Sequence, residues 1–592
     1  MRGHGARWAM AVAVGLAGVL ALVAWQASSP ANAGARHAAA TTSDRDPPSA
    51  TPAGMAPTSA APGDAVAAGT TDASGDSPAA VAVAAEVAAR RDSGPAVGQE
   101  PAPPWQGKTL DWLVLGGGPT PASNQASLEA DGFAAQAALR GQGATLFAGG
   151  YGSRVVAVDT LELDAHATLR QELAALLAPD HAVQTAFRAV ALPSLPADAR
   201  HVEAALQSQW HAATTPLLVV VSGHGERADN RDDVRLPFWG GAAWTPRTLT
   251  AALDGAATDA GKPLRPLRFV IGACFSGGFA EILFRGASAQ SGPSDADRCG
   301  LFASTWDLES SGCDADPDRR HHEGYARVFW AALQRRDVDG GPLEADEIDF
   351  DHDGAISLLE AHSRVRIAST SFDIPTSTSE RWLRVALTRA DPHDASVELG
   401  TAVGLAEAPS PTATQLAAVR PLLVEEFAVV AGLARTLRVA DPWHQARTAW
   451  EDRDELVEEA DDALAEIQGH EQGLAASLGA ALLRARPELQ DAWHPAFEST
   501  LRRDGPAIAA AMHGHPSYAA WRRARHSRDA ASRLADRALV ARALAERLLR
   551  AVDNVRFAVA LRERGGQAWQ TFLRLRACER TVPPLRAPDP GR

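Results

Sequence analysis

The sequence predicts an α/β fold with a mainly parallel sheet flanked by helices, followed by an all-α C-terminal helical domain. Three observations predict it. Leu217–Val221 (LLVVV) and Arg268–Ile271 (RFVI) are continuous apolar runs of buried-strand length, as in a sheet covered on both faces. Helical patterns lie before and between them, around Asp198–His211 and Thr248–Thr258, and alternating strands and helices indicate a parallel sheet. After about Thr388 the pattern changes, and from Pro411 to Leu575 apolar residues recur at three and four positions.

Taken in order, the chain begins with Arg2 and Arg7 ahead of an apolar run, Trp8–Trp25, and then Ala31-Asn32-Ala33. A positive start, an apolar stretch and small residues at a cleavage position read as a secretory signal over residues 1–33. The run is also long enough to span a bilayer, so an uncleaved inner-membrane anchor through residues 8–25 is the other reading. On either one the bulk of the chain is exported, to the periplasm or the exterior. Residues 34–104 are Ala, Pro, Ser, Thr, Gly and Asp with almost no large apolar side chain. Such a segment buries too little surface to offset its ordering entropy, and reads as a disordered linker.

Residues 105–392 read as the α/β domain. Asp111–Leu115 is a strand running into the turn Gly116-Gly117-Gly118-Pro119. Leu128–Leu139 has helical spacing, Ala144–Phe147 reads as a second strand, Leu301–Ser304 as a later strand and Tyr325–Gln334 as a helix. Residues 393–410 form a linker, 411–580 a helical bundle or long hairpin, and the Pro-rich residues 581–592 a frayed, disordered tail.

At 592 residues the chain has room for several structural units. Its net charge of −15, with lysine only at Lys108 and Lys262, excludes a nucleic-acid partner, which needs clustered cations on one face. The four cysteines, Cys274, Cys299, Cys313 and Cys578, fit an exported protein with at most one or two disulfides.

Both buried strands end in reactive residues. Leu217–Val221 runs into Ser222-Gly223-His224-Gly225, and Arg268–Ile271 into Gly272-Ala273-Cys274-Phe275-Ser276-Gly277-Gly278. Ligand sites gather at the carboxyl ends of strands in open α/β sheets, so His224 and Cys274 are expected side by side. The chemistry needs that pairing, because a free thiol is only slightly ionised near neutrality and an imidazole can take its proton and pass one to a leaving amine. Gly225 is read as bringing its N–H close, to form an oxyanion hole with that of Cys274. Gly277 and Gly278 are read as leaving room for a substrate chain.

"VVVSGHG" followed by "FVIGACFSGG" resembles the His-Gly and Ala-Cys blocks of caspase-like cysteine peptidases, legumain (the asparaginyl endopeptidase) above all. The resemblance covers about Thr109–Leu387. It implies a caspase-like sheet and a cysteine-type endopeptidase that works through a Cys274–His224 dyad and a thioester acyl-enzyme, with a protein or peptide as substrate. "LFASTWDLESSGCDAD" (Leu301–Asp316) is similar to legumain's pocket segment, which would make Glu309 and Ser310 substrate-binding and place cleavage after Asn or Asp. Legumain-like chains carry an Arg-His pair after the first strand, where this sequence has Ser123-Asn124-Gln125-Ala126-Ser127. Asn124 could orient the histidine there or could be a turn residue. A transpeptidase differs only in resolving the acyl-enzyme with an amine. The reading from another class is a catalytically inactive protease-fold scaffold that binds partners through its helical tail. By analogy of position with legumain's C-terminal region, that tail is also a candidate cover for the active site.

Cys299 and Cys313 flank the pocket segment, either bridged across it or as two free thiols, and Cys578 is free or intermolecular. Asp349–Glu360 (DFDHDGAISLLE) fits the EF-hand calcium loop: carboxylates at the first, third and fifth positions (Asp349, Asp351, Asp353), glycine at the sixth, a main-chain ligand at Ala355, then Ser357, and Glu360 at the twelfth. Gly340, Gly341 and Pro342 preclude an entering helix, so a single half-framed loop binding structural Ca²⁺ is expected. The chemistry itself requires no cofactor. An Asp-rich turn capping a helix is the competing reading.

Overall fold

Strand β1 (Trp112–Gly117) is fully buried over its first four residues and ends in the glycine run. In this computed structural model the described residues are 105–149, 154–159, 168–178, 185–259, 263–313, 324–387, 410–491 and 494–586. The N-terminal segment 1–33, the linker 34–104, nearly all of the linker 393–410 and the last six residues lie outside them. No helix among the described residues is long and apolar enough to cross a membrane.

After β1 come α1 (Ala126–Ala138), β2 (Gly143–Phe147), β3 (Val155–Asp159), α2 (Leu169–Leu177), β4 (Thr185–Ala189), α3 (Ala199–Gln207), β5 (Leu217–Gly223), β6 (Leu236–Pro237), β7 (Ala243–Trp244), α4 (Pro246–Asp259), β8 (Leu267–Gly272), β9 (Arg298–Phe302), α5 (Tyr325–Leu333), α6 (Leu358–Ala368), β10 (Thr376–Ser377) and α7 (Thr378–Leu387). The main sheet has six strands in the order β10-β9-β8-β5-β1-β2. All neighbours pair in parallel except β10, which runs antiparallel to β9 at the edge. The anticipated mainly parallel sheet is therefore present. Its strands β5 and β8 are buried on both faces, as their unbroken apolar runs require. One face packs Leu113, Leu115, Val219, Val221, Phe269 and Ile271 against α3 and α4. The other packs Val114, Leu218, Val220 and Val270 against α1, α5 and α6.

The chain leaves β1 toward β2 on one side and returns to β5 on the other. The strand order thus reverses between β1 and β5, which opens a crevice at their carboxyl ends.

The helical part comprises α8 (Ala413–Val419), α9 (Val424–Leu437), α10 (Pro442–Ala485), α11 (Phe497–His513), α12 (Tyr518–Arg564) and α13 (Gly566–Glu579). Helices α10 and α12 are 44 and 47 residues long and form an extended pair. The far end of that pair closes on α2 through Leu173, Leu176, Leu478, Phe497 and Trp521. The near end is welded to the sheet domain: Leu283, Phe284, Trp382 and Leu383 share one apolar core with Val555, Phe572 and Leu575.

Two features of this junction depart from the sequence reading. Cys299, on β9, is disulfide-bonded to Cys578 on α13, so Cys578 is neither free nor intermolecular and Cys299 does not bridge to Cys313. Cys313 is a free thiol. Thr581–Arg586, anticipated as frayed, is tied down: Leu358 N donates to Thr581 O (3.0 Å), Arg140 N to Pro584 O (2.8 Å) and Arg586 N to Ala138 O (2.8 Å). Paired main-chain groups hold a segment whose composition alone suggested disorder.

Candidate active site

The carboxyl ends of β1, β5 and β8 lie side by side because the three strands pair in parallel. Register aligns Gly117 with Gly223, and Ser222 with Gly272. His224 follows β5 directly and Cys274 follows β8 by two residues. A Cβ built on Gly225 would collide with the carbonyl group of Cys274. The His-Gly and Ala-Cys loops therefore touch, through a contact that only glycine permits. The residue after the cysteine, Phe275, sits in the left-handed region at φ 57°. A bulky side chain there is uncommon and turns the chain sharply behind Cys274. The Phe275 amide is tied to Leu308 O at 2.9 Å, and an eight-residue 3₁₀ helix, Ser276–Leu283, follows.

The histidine is oriented by a main-chain group. His224 Nε2 lies 2.7 Å from the carbonyl oxygen of Ser123. A carbonyl only accepts, so Nε2 carries the proton and Nδ1 is left as the basic nitrogen. The glycine run makes the approach possible, since a Cβ on Gly118 would overlap Ser123 O. Asn124, a candidate for that orienting role, is used elsewhere: its Oδ1 accepts from Gly118 N (3.1 Å) and its Nδ2 donates to Val155 O (2.5 Å). It holds the loop that presents Ser123. Burial pushes the His224 pKa below its ordinary value, with the Ser123 hydrogen bond acting the other way. A small cleft at the strand-order switch is lined by Gly116, Gly118, His224, Leu236 and Phe238.

The Cys274 sulfur is surrounded by hydrogen-bonding groups. Ser310 N donates to Sγ at 3.3 Å, Sγ lies 3.5 Å from Ser310 O, and Ser310 Oγ is 4.0 Å away. The Cys274 thiol is held below the ordinary thiol range. The main cause is the hydrogen bond from Cys313, followed by burial, which opposes it, and then by the Ser310 contacts. The Cys313 thiol is pushed well up, by that same bond and by burial. The two thiols titrate as one coupled pair, Cys274 the lowered member and Cys313 the raised one, and Cys313 Sγ also lies 3.6 Å from Gly223 O.

Of the two pocket residues expected, Ser310 is buried and packs against Cys274, while Glu309 is exposed and accepts from Ser304 Oγ through its carbonyl (2.9 Å). Gly277 and Gly278 do not leave room for a substrate. A Cβ on Gly277 would meet Ser304 O at 2.6 Å, and one on Gly278 would overlap Val234 and Arg231 O, so both serve close packing beneath the site. The next residue of the wall, Ser311, is anchored by fully buried Asp373, whose carboxylate accepts from Ser311 N (2.5 Å) and Oγ (3.1 Å). Burial raises the Asp373 pKa to about 6. The turn carrying Asp373 is in turn held by Arg547 of α12, which donates to the carbonyls of Ser369, Ser371 and Asp373 at 2.6–2.7 Å. The helical region thus braces the wall from behind.

Ser123, Cys313 and Asp373 were not singled out as site residues in the sequence. A carbonyl ligand leaves no side-chain signature, and Cys313 and Asp373 meet the site only through chain folding.

At the acidic loop, the carboxylates of Asp349, Asp351 and Asp353 come together, one oxygen from each within 4.8 Å of the others. Ser357 and Glu360 are otherwise engaged. Ser357 caps α6, and Glu360 Oε1 accepts from Phe350 N (2.8 Å) while Oε2 accepts from Ser357 N (2.8 Å). Ala355 N donates to Asp353 Oδ1 at 2.7 Å. A 3₁₀ turn, Ala345–Glu347, stands where an entering helix would be.

No protein-family profile matches this chain, and no curated protein is similar to it.

Proposed function

We propose that the chain is a cysteine endopeptidase of the caspase/legumain type. The observation that carries this is the touching pair of strand-end loops: an acidified thiol at Cys274 on one, and His224 with Nε2 committed to Ser123 O on the other. In this reading His224 Nδ1 takes the thiol proton. The thiolate attacks the substrate carbonyl carbon, and the N–H groups of Gly225 and Cys274 hold the resulting oxyanion. His224 returns the proton to the leaving amine as the C–N bond breaks, giving a thioester. Water then adds with His224 as base, and the C–S bond breaks to release the acid and restore the thiol. Ser310 N steadies the thiolate as it forms. An amine in place of water makes the same intermediate a transpeptidation donor.

Cleavage after Asn or Asp rests on the resemblance of the pocket segment, with Glu309 and Ser310 as its walls. Glu309 carries its charge beside the thiol, so an Asn side chain is favoured over Asp. Export, by a cleaved signal or an anchor at residues 8–25, fits the Cys299–Cys578 disulfide, since such bonds persist in oxidising compartments.

One observation favours an inactive scaffold instead: the hydrogen bonds of the Cys274 sulfur go to Ser310, and none to His224. Acyloxymethyl ketones carrying Asn or Asp beside the warhead separate the readings. An active site is labelled at Cys274, faster with Asn, weakly in His224→Ala and not at all in Cys274→Ala. Silence at Cys274 with these and other warheads would leave the scaffold.

A further inference from the structure

The loop Asp349–Glu360 has no part in the proposed peptide chemistry, yet its electrostatics are incomplete. Three carboxylates converge, and like charges held this close repel unless a cation lies between them. Loop amides satisfy one oxygen of each: Gly354 N on Asp349 Oδ2 (3.1 Å), Asp353 N on Asp351 Oδ1 (3.2 Å) and Ala355 N on Asp353 Oδ1 (2.7 Å). His352 and Gly354 adopt positive φ, 59° and 85°, which folds the loop inward.

The second oxygen of Asp349 is the telling one. Asp349 is only 5% exposed, and its Oδ1 is buried without any hydrogen-bond donor. A buried anionic oxygen left bare is costly, and natural proteins satisfy such atoms with a donor or an ion. The nearby cations do not serve it. Arg335 donates to Gly354 O (2.6 Å), and Arg580, whose field reaches Asp351 and Glu360, is clamped to Glu425 at 2.6 and 2.8 Å. Main-chain donors from Phe350 and Ser357, with the Ser357 hydroxyl, engage Glu360, which closes the two ends of the loop around the carboxylates.

We propose that Asp349, Asp351 and Asp353 bind one divalent cation through carboxylate oxygens, with calcium preferred over magnesium. Hard oxygen donors at alternate positions, with glycine at the sixth, suit the larger ion, which tolerates irregular geometry and completes its shell with carbonyls and water. With Glu360 spent on closing the loop, the site has few anionic ligands. A dissociation constant of about 10⁻⁴–10⁻³ M, the range of exported modules, follows. The loop leads directly into α6, whose far end begins the Ser369–Asp373 turn behind the pocket wall. Bound cation therefore stiffens the support of that wall.

The test uses the full chain and needs no peptidase activity. Chelator-treated protein is titrated with CaCl₂ by calorimetry, and its melting temperature is followed with CaCl₂, MgCl₂ or chelator. Expected are one saturable calcium event, a melting temperature that climbs with calcium, and a smaller response to magnesium. Asp351→Asn and Asp353→Asn, both at exposed positions, should weaken calcium binding at least about tenfold while keeping the wild-type circular dichroism spectrum. Calcium binding that survives both substitutions would place the ion elsewhere and overturn the proposal. So would the lack of any heat or melting shift at calcium about ten times above the expected range. An equal response to magnesium would overturn the preference for calcium.

Discussion

The edge of the sheet that carries His224 and Cys274 and the junction with the C-terminal helices are held by opposite means. At the edge, main-chain groups and thiols do the work: a carbonyl orients His224, an amide and a neighbouring thiol steady Cys274, and glycines let the loops touch. At the junction, buried ions do it. Arg366 pairs with Glu426 (2.9 Å), Arg576 and Arg580 with Glu425 (2.5 and 2.6 Å), and Arg550 with Glu380 (2.6 Å). Glu579 accepts from Thr378 Oγ1, Ser379 N and Ser379 Oγ at 2.6–2.7 Å. Directional but individually weak bonds set a reactive group without storing much stability, whereas a buried charge network makes removal of any one member expensive. Aiming the thiol and holding the chain together are thus assigned to different residues. Arg547 is where they meet, since it belongs to the helices and braces the turn behind Ser311.

The most severe way to break this division is to cut the helices away. A chain ending at Leu387 loses Cys578, Glu425, Glu426, Arg547 and Glu579 together, and exposes the shared core of Phe284, Trp382 and Leu383. It should fail to give a cooperative melt. A tail that merely covered the site would instead leave a folded, more reactive fragment, so circular dichroism and labelling of that fragment distinguish a brace from a lid.

A single substitution sharpens the comparison. Glu425→Ala leaves buried Arg576 with only Glu426 at 3.5 Å and Arg580 without its carboxylate. The expected loss is about 3–5 kcal/mol in denaturant unfolding. The reactivity of Cys274 in the remaining native protein should be unchanged.

The smallest effect on stability is expected from Cys313→Ala, which removes the donor that lowers the Cys274 pKa. Alkylation of Cys274 is carried by the thiolate, so its rate rises with pH through that pKa. In the wild type the midpoint should lie below the ordinary thiol value, and in Cys313→Ala it should move up. An unmoved midpoint would mean that Ser310 alone sets the thiol.

Much of the α/β layer was legible in the sequence. The runs at Leu217–Val221 and Arg268–Ile271 are buried strands, neighbours in the sheet, with His224 and Cys274 at adjacent ends. The antiparallel pair of β3 and β4 was not legible, because Val155–Asp159 and Thr185–Ala189 are short and lack a clear period, and neither was the nine-residue α2 between them. Helix α7 carries no clear apolar signature, since its buried face includes the charged Glu380, Arg381 and Arg384.

By itself, then, the sequence determined the α/β class, the strand ends that carry His224 and Cys274, and the acidic loop, because periodicity and short motifs are local properties of the chain. Only the tertiary structure decided that Cys299 bonds Cys578 rather than Cys313, that Cys313 serves Cys274, that Ser123 and not Asn124 orients the histidine, and that the tail is built into the core. Each of those depends on contacts between residues far apart in the chain. Composition and spacing carry no record of them, because one thiol, carbonyl or arginine is chemically the same whichever partner folding brings to it.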